Sequence, residues 1–230
     1  MKTASPVVKT TCAYCGVGCG VSMQPQADGF AASGDPAHPA NRGRLCVKGS
    51  ALGETLGLQG RLLQPEIHHQ PVSWPQALDA VAQGLQATID EHGPQSVAFY
   101  GSGQLLTEDY YVANKLMKGF IGAGNMDTNS RLCMASAVVG YKRAFGADAV
   151  PCNYDDLEQA DCVILVGSNT AWAHPVVYQR LAKAKAERPE MQIIVVDPRK
   201  TATCDIADLH LALRPSSDAA LFCGALNEKI

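Results

Sequence analysis

The chain of 230 residues sets 19 lysines and arginines against 22 aspartates and glutamates, a formal charge of -3, with 47% hydrophobic residues. A length of this order buries roughly 70 to 75% of the surface its unfolded form exposes, enough for one or two ordinary cores, which excludes a disordered tail. There is no basic excess to neutralise phosphates and no apolar run near the roughly 20 residues that span a bilayer, so neither nucleic acid nor membrane is expected as a partner.

Residues 1–10 hold neither a twin-arginine pair nor a signal-like apolar core, so the expected compartment is the cytoplasm. Nine cysteines, an odd number without a secretory leader, argue against a disulfide framework. No internal repeat or low-complexity segment interrupts the chain.

Residues 1–60 form the first expected domain, glycine-rich and short of periodic apolar positions. In CAYCGVGC, Cys12, Cys15 and Cys19 fall within eight positions, and Cys46 in GRLCVKGS adds a fourth thiol. Gly16, Gly18 and Gly20 supply the permissive backbone a folded-back loop needs. Soft thiolates select zinc or an iron-sulfur cluster. Zinc ribbons usually bring a C-x-x-C knuckle from each side, whereas three plus one suits a cubane whose irons are spread over several ångströms; zinc stays as the alternative. So small and polar a segment is expected to draw much of its folding free energy from the metal.

Residues 61–150 form the second. Ser73 as a cap, Pro75 in the first turn, and Leu78, Val81, Ala82, Leu85 and Ile89 at helical spacing predict a helix with one buried stripe, ending at Gly93 and Pro94. A strand at 96–100 opens into Gly101, Ser102, Gly103 and Gln104, where backbone can approach a ligand closely. Thr107 is expected to cap a second helix running towards Gly122. In NSRLCMASAVVGYKRAF at 129–145, Cys133 falls near a helix start, where the dipole and free amides favour a thiolate. The plainer alternative is a small buried hydrophobe.

Residues 151–230 form the third, with expected strands at 162–166, 192–196 and 209–213. Strand and helix alternate, which predicts a Rossmann-like parallel sheet with right-handed crossovers and all exit loops on one edge. Those loops are Gly167-Ser168-Asn169, Asp197-Pro198-Arg199 and Pro215-Ser216-Ser217-Asp218. Loop amides and a helix starting near Pro175 can receive a diphosphate, and Asp197 can accept from ribose hydroxyls. A nicotinamide site ranks lower: no G-x-G-x-x-G opens the first crossover, and Asp197 lies about thirty residues past Gly167 instead of about twenty. Cys152, Cys162, Cys204 and Cys223 read as packing residues, the six histidines show no ligand spacing, and no serine, histidine and acid constellation supports a hydrolase.

Three stretches carry a resemblance: TCAYCGVGCGV, then RLCVKG with Lys48 two places after the last thiol, then NSRLCMASAVVGYKRAFGAD at 129–148. In this order they are similar to the amino-terminal quarter of bacterial molybdopterin oxidoreductases. The nearest branch is the catalytic subunit of assimilatory nitrate reductases, with the periplasmic enzymes next. Family chains are several times longer, so the sequence resembles a piece of one. The implied fold is α/β, a small irregular Fe-S domain followed by an incomplete molybdopterin-oxidoreductase region.

The resemblance implies a 4Fe-4S cluster on Cys12, Cys15, Cys19 and Cys46, with Lys48 assisting electron passage between cluster and pterin. It implies Cys133 as the sulfur ligand to molybdenum, with Gln104 and Asn129 as pterin contacts. A Mo-bis(molybdopterin guanine dinucleotide) centre would be met by Gly167, Ser168, Asn169, Asp197, Ser216, Ser217 and Asp218. The last loop departs from the P-G-T-D common in relatives, since Ser216 and Ser217 bring no glycine. Met134 after Cys133, where formate dehydrogenases carry histidine, points to the nitrate branch. The implied activity is reduction of nitrate to nitrite, with ferredoxin, flavodoxin or an NADH-linked flavoprotein subunit as electron donor. The alternatives are a formate dehydrogenase-like molybdenum or tungsten enzyme, and a non-catalytic fragment that binds a cluster or zinc.

Overall fold

The computed structural model of the chain describes residues 6–103 and 105–228. They fall into two compact units: residues up to Gly57 join those from Cys152 onward in one, and Leu58–Pro151 form the other.

The first unit begins with three antiparallel strands, β1 (Val8–Thr11), β2 (Gly20–Gln26) and β3 (Gly29–Gly34), with β2 in the middle. Val8 faces Met23, and Val21 faces Gly34. Val21 and Met23 are buried on one face of β2. The expected shortage of periodic apolar positions is visible here: the period-two alternation of β2 is only two buried apolar positions long. A single helical turn, α1 (Val47–Ser50), starts from Cys46.

The second unit opens with a short hairpin, β4 (Glu66–Ile67) and β5 (Gln70–Pro71). Helix α2 (Trp74–His92) follows, with Ser73 at its cap as the sequence predicts. The Ser73 N–H donates to Gln76 Oε1 at 2.9 Å, so the first turn is closed by its own side chain. The predicted stripe is covered only in its second half. Leu85 and Ile89 pack on Val97, Met117 and Ala123, whereas Leu78 and Val81 are each 61% exposed. The cluster that receives α2 is too small to reach its first turns.

Strand β6 (Phe99–Gly101) pairs in parallel with β7 (Met126–Thr128), Tyr100 opposite Asp127. Between them run α3 (Thr107–Asn114) and a π-helical stretch at Lys115–Ile121 that ends at Gly122 in the left-handed region. Thr107 is the first residue of α3, not its cap; Asp109 Oδ2 accepts from the Leu106 N–H at 3.1 Å instead. Helix α4 (Ser130–Phe145) closes the unit.

Back in the first unit, α5 (Tyr154–Gln159) is capped by Asn153, whose Oδ1 accepts from the Asp155 N–H at 2.8 Å. Next come β8 (Cys162–Val166), the short α6 (Thr170–Ala173), α7 (Pro175–Glu187) and β9 (Gln192–Val196). A 3-10 helix at Ala202–Ile206 leads to β10 (Leu209–Leu211), and α8 (Asp218–Asn227) follows. The strands form the expected parallel sheet in the order β10, β9, β8, with Ile164 beside Ile194 and Ile194 beside Leu209. Val163, Ile193 and Val195 bury one sheet face against Leu181 and Ala184 of α7. Cys204 is buried there as predicted, but Cys152, Cys162 and Cys223 are exposed and pack no core.

Arg180 of α7 ties the two stretches of the first unit together. It is 2% exposed, donates to the carbonyls of Pro39 and Ala40 at 2.9 Å each, and pairs with Glu158 at 2.6 Å and Asp155 at 2.5 Å. Arg42 bridges the same two carboxylates from the other side. Among the described residues no helix is long and apolar enough to cross a membrane.

Candidate functional site

The four amino-terminal thiols border one hollow. Cys12 follows β1 and Cys19 precedes β2, and the Cys12 N–H donates to the Cys19 carbonyl at 2.8 Å, so strand pairing closes the base of the loop. Within it Gly18 takes φ +68°, a left-handed turn that an L side chain adopts only under strain. Its N–H points back to the Cys15 carbonyl at 3.4 Å. Cys46, at the head of α1, arrives from the other segment.

All four cysteines line one hollow with Val17, Leu45, Gly49, Pro175 and Val176, enclosing about 320 Å³ of empty space, open mouth included. The thiols stand on its walls: among the described residues no three histidine, cysteine, aspartate or glutamate side chains are grouped to hold a single metal ion. Burial, joined by like-charge repulsion from Cys12, Cys15 and Cys46, pushes the Cys19 thiol up to about 11. Four sulfurs in a largely apolar hollow become thiolates together only if a cation offsets their charge, which fits a soft-metal group. Lys48 lies exposed on α1, two residues beyond Cys46.

Two side chains that no sequence pattern singled out reach these segments. The Tyr154 hydroxyl donates to the Val17 carbonyl at 3.0 Å, and the Arg180 guanidinium lies 5.4 Å from the centre of its ring. Asn41, fully buried, binds backbone on both thiol-bearing stretches. Only a buried amide amid glycines and prolines marks it in sequence, and that carries no periodic signal.

The exit loops of the parallel sheet also converge as expected. Gly167, Asp197, Ser216 and Asp218 line a second hollow with Pro198, Leu213 and Arg214. Ser168, Asn169 and Ser217 flank it without lining it. Asp197 is buried, and its Oδ1 accepts from the Arg199 N–H at 2.8 Å. Asn169 takes φ +39°, and its Oδ1 is buried with no hydrogen-bond partner among the described residues. An acceptor left in that state costs free energy until a donor arrives, which fits a ligand bearing N–H or O–H groups. Ser216 adopts φ +66°, in the left-handed region that favours glycine.

In the second unit, Cys133 is the fourth residue of α4 and is exposed, its thiol 3.8 Å from the Ser130 carbonyl. In this chain the thiol is not part of a buried core cluster. Asn129 immediately precedes the helix, and a Cβ on Gly103 would fall 2.9 Å from Asn129 Oδ1, so the glycine loop and Asn129 are packed together. Gln104, the remaining expected pterin contact, lies outside the described residues.

Residues 5–56 match the molybdopterin oxidoreductase Fe4S4 domain, and residues 61–229 match the molybdopterin oxidoreductase domain itself. The chain belongs to the molybdopterin oxidoreductase family. A nitrate reductase of Klebsiella oxytoca is 67% identical over 220 residues, 95% of this chain and 25% of its own length. A nitrate reductase of Shewanella frigidimarina (strain NCIMB 400) is 54% identical over 230 residues, 96% of this chain and 24% of its own. This molybdopterin oxidoreductase chain therefore spans about a quarter of the length of the relatives it matches. Acetylene hydratase from Pelobacter acetylenicus superposes with a TM-score of 0.79 at 24% identity, over 95% of this chain and 31% of that one, a likeness of fold alone.

Proposed function

We propose that this chain is the cluster-bearing, first pterin-binding part of a nitrate reductase that converts nitrate to nitrite. One observation carries the proposal: four cysteine thiols, three from one loop and one from a separate segment, line a single hollow where burial holds Cys19 protonated in the metal-free chain. That donor set suits a 4Fe-4S cluster held by Cys12, Cys15, Cys19 and Cys46. The nitrate reductases among its relatives and Met134 beside Cys133 support the substrate.

When bound, the cluster supplies one-electron transfer and a molybdenum bis(molybdopterin guanine dinucleotide) centre supplies the oxygen-atom chemistry. The chain's own part is to hold and orient. Cys133 offers an exposed thiol in the first turns of α4 and is assigned as the sulfur ligand to molybdenum. Asn129 and Gln104 are assigned to the pterin. Gly167, Ser168, Asn169, Asp197, Ser216, Ser217 and Asp218 are assigned to the guanine dinucleotide, with the Asp197 carboxylate accepting from ribose. Lys48, exposed two residues past Cys46, is assigned to the electron path between cluster and pterin. The assimilatory, cytoplasmic setting, with ferredoxin, flavodoxin or an NADH-linked flavoprotein as donor, is proposed from the branch resemblance.

The test is metal analysis of the chain after anaerobic supply of iron and sulfide. About four irons and four acid-labile sulfides per chain, with a paramagnetic signal after dithionite, are expected. One equivalent of zinc and no sulfide would overturn the proposal.

A further inference from the structure

We infer that Asn41 is a positioning residue for the cluster, a pre-formed clamp that fixes the Cys19 and Cys46 segments at one spacing. The inference rests on the cluster proposal above and adds a residue to it. Asn41 is 0% exposed. Its Oδ1 accepts from the Gly20 N–H at 2.9 Å, and its Nδ2 donates to the Gly20 carbonyl at 2.9 Å and to the Arg44 carbonyl at 2.7 Å. Gly20 adjoins Cys19, and Arg44 stands two residues before Cys46. One amide therefore grips backbone on both stretches that bring thiols to the hollow.

The chemistry asks for an amide at this place. Both Nδ2 hydrogens and the Oδ1 are engaged, so aspartate keeps the acceptor, loses both donors, and sets a negative charge beside two carbonyls. The backbone around the clamp is tightly specified. Arg42 and Gly43 take φ +46° and +83°, and the Arg44 N–H returns to the Asn41 carbonyl at 2.9 Å. The Gly43 N–H donates to the Asp35 carbonyl at 3.0 Å, and a Cβ on Gly34 would meet the Gly43 carbonyl at 2.1 Å. All of these bonds run between protein atoms on the segments that carry Cys19 and Cys46, and groups that orient ligands in this way tune both affinity and electronic properties.

The experiment uses the full 230-residue chain, wild type and Asn41→Asp, loaded anaerobically with iron and sulfide. The variant is expected to lose iron to a chelator about 10- to 100-fold more readily. Mild oxidation should also give it the paramagnetic signature of a cluster that has lost one iron, because the Cys46 corner is no longer held. Leu181→Ala, which loosens the distant sheet core, serves as control: it lowers the unfolding temperature and leaves the signature alone. Equal chelator resistance and identical spectra for wild type and Asn41→Asp overturn the inference. A second measurement stands if Asn41→Asp does not fold. In the metal-free wild-type chain the Gly20 amide should exchange slowly with solvent, and exchange at the rate of an unstructured peptide overturns the clamp. Failure of the wild type to take up iron and sulfide sinks the cluster proposal, and the exchange measurement still judges Asn41.

Discussion

The guanidinium of Arg180 donates to the carbonyl of Ala40 at 2.9 Å, joining residues 140 positions apart in the chain. The same group satisfies Glu158 and Asp155, so a buried cation is fully matched by two carboxylates and two carbonyls. Hydrogen bonds to a charged group contribute about 1.5 to 3 kcal/mol each, but Arg42 still partners both carboxylates when Arg180 is removed. Arg180→Leu is therefore expected to cost about 2 to 3 kcal/mol in denaturant unfolding of the metal-free chain. A change under about 0.5 kcal/mol, the range of ordinary surface substitutions, would refute the assignment of Arg180 as the tie.

Acid should weaken the same joint. The Arg180 hydrogen bond holds the Glu158 carboxyl below its ordinary value of 4.5, against the opposing effect of burial. A depressed carboxylate pKa contributes stability that is complete above the unfolded value, here above about pH 4.5, and is lost as pH falls through the folded value. Unfolding measured against pH should show this fall in the wild type and a shallower one in Glu158→Gln. Parallel curves would mean that other carboxylates dominate, with Asp208 the first to test because Lys185 holds its pKa low.

Cys46→Ser should abolish the visible absorption of the reconstituted cluster, because serine offers a harder donor at the one ligand position supplied by α1. Circular dichroism should keep the contribution of the parallel sheet of β10, β9 and β8, whose core of Val163, Leu181 and Ile193 does not include that thiol. An unchanged visible spectrum would show that the fourth ligand lies elsewhere.

Ser216→Gly should raise stability. A serine at φ +66° carries about 1 to 2 kcal/mol of left-handed strain. Glycine relieves it and gives back about 0.5 to 1 kcal/mol to the unfolded chain. A net gain of roughly 0.5 to 1 kcal/mol is expected in thermal unfolding. A loss of stability would mean that Ser216 makes a stabilising contact through its hydroxyl.

The sequence signals that succeeded were local ones. Ser73 and Pro75 mark the start of α2 through two neighbouring side chains, and the apolar runs at 162–166 and 192–196 become adjacent parallel strands. The four thiols that the spacing singled out line one hollow. What failed depended on distant partners. Leu78 and Val81 have the spacing of a core stripe, yet their exposure is decided by how far the cluster around Met117 extends. Asn41 and Arg180 are polar groups whose importance exists only once backbone carbonyls from other segments surround them. No pattern within a short window encodes that.

Pro175 and Val176 complete the wall of the cysteine hollow, 130 residues after Cys46 for Val176. During synthesis at about 5 to 20 residues per second, the ribosome takes roughly 7 to 26 seconds to cover that distance. Until then the thiols face the cell interior without their lid. The hollow is therefore walled in full only after a stretch that contributes no cysteine to it has been translated.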